Sequence, residues 1–217
     1  ADDKATARKI KELAEKGVTA LPVDCRSGKG LEKFQPAVRD VLKEKIKANT
    51  EKGMAGKALR VMVVGIPNTG KSSFINRMAG KYRAKVADKP GVTRGNQWFA
   101  IGSGIELLDT PGVLWPKFED PEVGFKLAFI GSVKDEILDS QEIAVRLLLV
   151  MQRNYPERLE ERYKIKDFEE LEPYELLELI GAKRGMLIKG GETDTERAAV
   201  MLLDEYRSGK LGKLTLD

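Results

Sequence analysis

Gly65, Gly70, Lys71 and Ser72 stand at the spacing GxxxxGK[ST] within the stretch Gly65-Ile66-Pro67-Asn68-Thr69-Gly70-Lys71-Ser72-Ser73. Those residue types suit the capture of a polyphosphate. Glycines let the backbone curl with its N–H groups turned inward, and a helix starting behind them adds the positive end of its dipole. The Lys71 ammonium would reach the β- and γ-phosphates, and the Ser72 hydroxyl would hold Mg²⁺. Pro67, Asn68, Thr69 and Ser73 fill out the same cradle. A second group, Asp109-Thr110-Pro111-Gly112, has the DxxG arrangement. Its carboxylate could hold Mg²⁺ through water, and the Gly112 N–H could sense a γ-phosphate. Alone, such a string is a common turn; forty residues or so after a phosphate loop it reads as the partner of that loop.

These groups need a strand on one side and a helix on the other. Leu59 to Val64 is a mostly β-branched apolar run that predicts a buried parallel strand ahead of the loop, and the helix follows through Met78. Gln97–Ile101 and Ile105–Leu108, separated by Gly102-Ser103-Gly104, predict a hairpin whose second strand delivers Asp109. Gly80 to Arg94 carries Lys, Gly and Pro without a period, and reads as a mobile loop over the nucleotide. Upstream, the spacing predicts a helix over Asp3–Lys16, a strand over Val18–Val23 and a glycine-bearing loop from Asp24 to Leu31. A long amphipathic helix from Leu31 to about Lys52 comes next, with Phe34, Val38, Val41, Leu42 and Ile46 on its apolar face. Beyond Pro121 the pattern is helical only. The predicted helices are Val123–Ile130, Gln141–Arg153, Pro156–Tyr163, Pro173–Ile180 and Glu192–Tyr206, with Leu147, Leu148, Met151, Met201 and Leu202 in their core.

Composition limits the chemistry. The 217 residues contain no histidine and one cysteine, Cys25, so the chain offers no imidazole base, no His-ligated metal and no intrachain disulfide. An unpaired thiol fits a reducing compartment, and no apolar run approaches the roughly 20 residues that span a bilayer. The expectation is a cytoplasmic protein. The charge is uneven: 22 Lys and Arg stand against 12 Asp and Glu from Ala1 to Gly112, and 16 against 22 from Val113 on, together the 38 and 34 of the chain. The basic excess accompanies the phosphate-binding half, as a site for a polyphosphate or nucleic acid requires.

The loop and DxxG do not by themselves choose guanine over adenine. Downstream of Gly112 there is no NKxD, whose Asp would pair with guanine N1 and N2, and no SAK-like loop for O6. Upstream, Asp24-Cys25-Arg26-Ser27-Gly28-Lys29-Gly30-Leu31 is similar to SAxxGxGL, and Ala1-Asp2 is similar to the end of NKAD. This order, together with GIPNTGKSS, PGVT, LLDTPGVLWPKFED, YPERLEERY and Lys183-Arg184-Gly185, resembles the YlqF/RbgA family of ribosome-assembly GTPases.

The resemblance implies an α/β, circularly permuted Ras-like P-loop GTPase domain over residues 1–120, followed by a small all-α domain over 121–217 that contacts RNA. It implies GTP or GDP as ligand, with Asp2, Asp24, Cys25, Pro67, Asn68, Thr69, Gly70, Lys71, Ser72, Ser73 and Gly112 around it. Mg²⁺ would be held by Ser72, Thr93 and Asp109, and catalysis would rest on Lys71, Thr93 and Gly112. Asn68 in a GxPNxGKS loop resembles the K⁺-holding asparagine of potassium-stimulated GTPases, which matters because Val113 stands where many GTPases carry a water-orienting glutamine. The partner implied is the large ribosomal subunit and its rRNA, with no membrane and a monomer off the ribosome. Family members also carry two further strands and the Asn-Lys of NKxD, so the expectation is that the natural polypeptide extends upstream. An ATPase, and an RNA-binding module with nucleotide as a structural ligand, remain alternatives.

Overall fold

The computed structural model describes residues 2–80, 96–114, 120–133 and 139–216. The chain divides into two compact units, Asp3–Leu114 and Trp115–Asp217, the latter including the first two residues.

Among the described residues of the first unit the apolar runs form three strands, β1 (Leu59–Val63), β2 (Gln97–Ala100) and β3 (Ile105–Asp109), in the order β1-β3-β2. β1 runs parallel to β3, with Val63 opposite Asp109, and β2 closes antiparallel on β3 through the expected glycine turn. Alternation sends Leu59, Phe99, Ile105 and Leu107 to one face. There they pack with Ile75 of α4 (Lys71–Ala79) and with Phe34, Val38, Leu42 and Ile46. Phe34 meets Phe74 edge-on at 5.0 Å. Each fully buried aliphatic side chain here contributes about 1.5–3 kcal/mol.

Several expectations change. β1 is covered on one face only: Met62 is 59% exposed and Val64, just past the strand, 69%. On that open face Arg60 pairs with Glu106 at 3.1 Å and lies over the Trp98 ring. Val18–Val23 forms no strand, because a ladder needs a neighbour and, among the described residues, β1 pairs on one edge only. The segment instead follows α1 (Asp3–Glu15) as irregular chain with Val18 and Val23 exposed. The long helix from Leu31 is a 3₁₀ turn (Leu31–Lys33), α2 (Phe34–Val41) and α3 (Lys43–Glu51). Its break falls at Leu42, yet the Leu42 N–H still reaches Val38 O and the Ile46 N–H reaches Leu42 O. Val41 is 61% exposed, while Leu42 packs against the sheet cluster.

In the second unit the described residues form α5 (Pro121–Phe129), α6 (Ser140–Asn154), α7 (Pro156–Tyr163), α8 (Pro173–Lys183) and α9 (Thr195–Arg207). α6 is central and packs against the other four. Leu147, Leu148, Met151 and Leu202 are fully buried, and Met201 packs at the edge of their cluster. Pro121, Pro156 and Pro173 open their helices, where a missing N–H costs nothing. Asp120, Asp139 and Asp194 cap α5, α6 and α9 by accepting from Glu122 N, Gln141 N and Arg197 N. The Asp194 cap is why the last helix starts at Thr195 and not at Glu192. Among the described residues no helix is long and apolar enough to cross a membrane.

Candidate functional site

The loop after β1 enters α4 through Gly70, whose φ of 86° is left-handed, so a side chain there would strain the turn into the helix. The Phe74 N–H then donates to Gly70 O at 2.8 Å and starts the helical ladder. Two side chains of the loop converge on one carbonyl: Thr69 Oγ1 donates to Ile66 O at 2.9 Å and Lys71 Nζ at 2.8 Å. An ammonium has three donors, and this bond holds the head inside the loop while using one of them. Partial burial pulls the Lys71 pKa below its ordinary value, and the charge of Asp109 works against that shift.

β3 brings Asp109 to the end of β1. Its carboxylate is 1% exposed, with Oδ2 accepting from Ser72 Oγ at 3.2 Å. The other oxygen, Oδ1, is buried and has no hydrogen-bond partner among the described residues. An ionised carboxylate oxygen in that position is costly unless a cation or donor satisfies it. Mg²⁺ fits that requirement, with the Ser72 hydroxyl and Asp109 beside each other. Among the described residues no three Asp, Glu, Cys or His side chains gather as a metal site. Phosphate and water oxygens would therefore have to complete the Mg²⁺ shell, as they do in nucleotide sites generally.

The DxxG turn is fastened to the phosphate loop. Thr110 Oγ1 donates to Val63 O at 2.8 Å. Gly112 passes so close to Pro67 that a Cβ would lie 2.7 Å from both the Cα and N of Pro67. Gly112 does not have a positive φ; the position needs glycine for room. Asn68 adopts φ 58°, a left-handed conformation that asparagine tolerates, and this suffices to account for its type as a turn residue. Val113, next in the chain, is 72% exposed.

The Asp24–Leu31 loop belongs to the same unit. Asp24 accepts from Arg26 N at 2.8 Å and from Ser27 Oγ at 2.7 Å, and the Ser27 bond first, then the Arg26 N–H, hold its carboxyl below the usual range. Burial, then the Asp24 charge, push the Cys25 thiol up. Thr93 and the rest of the expected switch lie outside the described residues. Asp2 belongs to the other unit, where its N–H donates to Thr215 Oγ1 at 2.9 Å. The sequence reading missed Thr110, Pro67 as the surface that excludes a side chain at Gly112, and Arg77, whose Nη2 donates to Ser27 O at 3.2 Å. Thr110 was visible within DTPG; Arg77 carries no sequence signal, being one basic residue on a helix.

A family described as 50S ribosome-binding GTPase matches residues 60–180. Ribosome biogenesis GTPase A of Bacillus cereus is 45% identical over 217 residues, covering 100% of this chain and 73% of that one. Its counterpart in Priestia megaterium is 44% identical over 218 residues, covering 100% and 75%. Among solved structures, GDP-bound TM YlqF superposes with a TM-score of 0.67 at 28% identity, covering 100% of this chain and 78% of that one. GNP-bound YlqF from T. maritima gives 0.61 at 27%, covering 100% and 76%. On a family match over more than half of its length and relatives at this identity along all of it, the chain belongs to the ribosome biogenesis GTPase A (YlqF/RbgA) family.

Proposed function

We propose that the chain binds GTP and hydrolyses it to GDP and phosphate as a switch in the late assembly of the large ribosomal subunit. The observation that carries this is the buried Asp109 carboxylate, one oxygen on Ser72 and the other without a donor among the described residues, at the foot of a complete phosphate loop. A module that used nucleotide only as a structural ligand would have no need of that carboxylate beside Lys71 and Ser72. In this reading Lys71 neutralises the β- and γ-phosphates and Ser72 and Asp109, with Thr93, hold Mg²⁺. The metal, when bound, supplies charge stabilisation to the phosphate oxygens as the bond to the γ-phosphoryl group breaks. The Gly112 N–H, held against Pro67, reports the γ-phosphate to the segment that follows.

Base choice rests on the Asp24–Leu31 loop, which precedes the phosphate loop in a circularly permuted GTPase order. Val113 has no polar atom with which to orient water. The remaining help for hydrolysis comes from K⁺ at Asn68 and from the ribosomal subunit. Residues 1–120 act as the GTPase domain and 121–217 as a helical domain that meets rRNA. The protein is cytoplasmic and monomeric off the ribosome.

The test is phosphate release from GTP by the purified protein, with and without Mg²⁺ and with and without large ribosomal subunits. Slow Mg²⁺-dependent turnover that rises with the subunits supports the switch. Tight GTP binding with no release under any of these conditions would leave the RNA-binding module. Equal competition by ATP would remove the guanine assignment.

A further inference from the structure

Arg77 lies six residues beyond Lys71 on α4, about 9 Å along the helix axis. Its guanidinium leaves that helix for the Asp24–Leu31 loop, where Nη2 donates to Ser27 O at 3.2 Å. The same nitrogen lies 3.0 Å from the place a Cβ on Gly28 would occupy. Its charge also draws on the Cys25 thiol, against the burial and the Asp24 carboxylate that raise it. Two consecutive loop residues, Ser27 and Gly28, thus lie against one side chain.

The loop is stiff within itself. Asp24 N donates to Lys29 O at 2.9 Å, Gly28 N to Asp24 O at 2.8 Å, and the Asp24 carboxylate takes the Arg26 N–H and the Ser27 hydroxyl. None of those bonds fixes the loop relative to α4. Leu31 at the end of the loop is buried and the next residues pack on α4 through Phe34 and Phe74, but a cleft of about 730 Å³ opens between the Ser27–Gly28 turn and α4, lined by Ser27, Gly28, Leu31, Gln35, Arg77 and Met78. Arg77 spans that opening from the helix whose first residues are Lys71 and Ser72.

We propose that Arg77 is a positioning residue that sets the base-recognition loop at a fixed distance from the phosphate loop, so that affinity for the guanine base depends on it and affinity for phosphate does not. The inference rests on the reading of Asp24–Leu31 as that loop. Arg77 touches no nucleotide in this role; it acts through the backbone carbonyl of Ser27.

The experiment compares GDP and inorganic pyrophosphate affinities for the full chain, Arg77→Ala and Arg77→Lys, with hydrogen exchange of residues 24–31 followed with and without GDP. Arg77→Ala is expected to weaken GDP about five- to tenfold, the range for one partly exposed charge-assisted hydrogen bond, and to leave pyrophosphate within twofold. Arg77→Lys, which keeps one donor, is expected to recover most of the loss. An equal loss for pyrophosphate would overturn the proposal, because Arg77 would then act on the helix as a whole. Unchanged GDP affinity, with the loop protected by GDP in the unaltered protein, would also overturn it while leaving the loop's role intact. A loop that GDP does not protect would remove the base-recognition reading, and the proposal with it.

Discussion

Lys71 is the cation within the Gly65–Ser73 stretch and is held by one carbonyl, Ile66 O. Lys71→Ala is therefore expected to weaken GTP binding at least a hundredfold, measured by titration with a fluorescent nucleotide, since charge-assisted bonds to phosphate are lost with nothing to replace them. Asn68 carries two separable demands, a left-handed backbone and a proposed K⁺ contact through its side-chain oxygen. Phosphate release in matched KCl and NaCl distinguishes them. The expected outcome is about tenfold faster hydrolysis in KCl that disappears in Asn68→Ala, a cation at that place doing part of what an arginine finger does for 10³–10⁵ in rate. Equal rates in both salts would leave Asn68 as a turn residue and place the whole stimulus on the partner.

Between elements, two contacts decide how parts of the site and of the helical unit hold together. Gly112 fits against Pro67 because it has no Cβ. Gly112→Ala is expected to cost about 1–3 kcal/mol of stability by the overpacking rule and to reduce GTP turnover more than GDP affinity, as the DxxG turn is pushed off the phosphate loop. Thermal melting beside single-turnover kinetics checks both halves. In the helical unit Glu205 of α9 is 6% exposed and receives Arg162 on both oxygens, the Tyr163 hydroxyl at 3.0 Å and Arg184 at 3.5 Å. Arg162, against burial, holds the Glu205 carboxyl below the usual range. A depressed carboxylate pKa adds stability that is complete above the unfolded value, near 4.3, and is lost as pH falls through the folded value. Glu205→Gln is thus expected to cost about 2–4 kcal/mol at neutral pH, and the gap from the unaltered protein to close below about pH 4, in urea melts across that range.

For the molecule as a whole, the acidic balance of the second half means that the proposed rRNA binding would rest on a local patch. Arg184 and Arg207 are poor members of it. Arg184 contacts Glu205 and lies over the Tyr163 ring, while Arg207 donates to Ala128 O at 2.8 Å and Phe129 O at 3.1 Å, closing the end of α5. Lys183, Lys189, Lys210 and Lys213 are exposed and are the candidates for that patch. Reversing Lys183 and Lys189 to Glu is expected to weaken large-subunit binding about tenfold at low salt and to flatten its dependence on salt, because each phosphate contact releases counterions. Binding unchanged at low salt would move the RNA contact away from the α8 end. Reversing Arg184 or Arg207 would confuse that test with unfolding.

Local chemistry was legible in the sequence. GxxxxGK[ST] and DTPG name their own roles through residue type and spacing, and helices of the second unit announce themselves by a 3.6-residue period with prolines at their starts. Asp109 and the strand that delivers it were readable for the same reason. What depended on distant neighbours was not. Val18–Val23 has the composition of a strand and forms none, since ladder hydrogen bonds belong to a pair of segments and not to one. Val41 sits at a helical core position by its spacing and is 61% exposed, because burial depends on what packs over a position and not on the position alone. Arg184 and Arg207 read as candidates for an RNA-binding patch until Glu205 and the α5 carbonyls appear beside them. The sequence by itself determined which residues have the type and spacing that phosphate and metal binding need, because that depends on chemistry repeated at short spacing. The tertiary structure alone decided that Arg77 reaches Ser27, fifty residues away, and that Pro67 leaves Gly112 room for no side chain, because closeness between remote segments is set by packing and has no local signature.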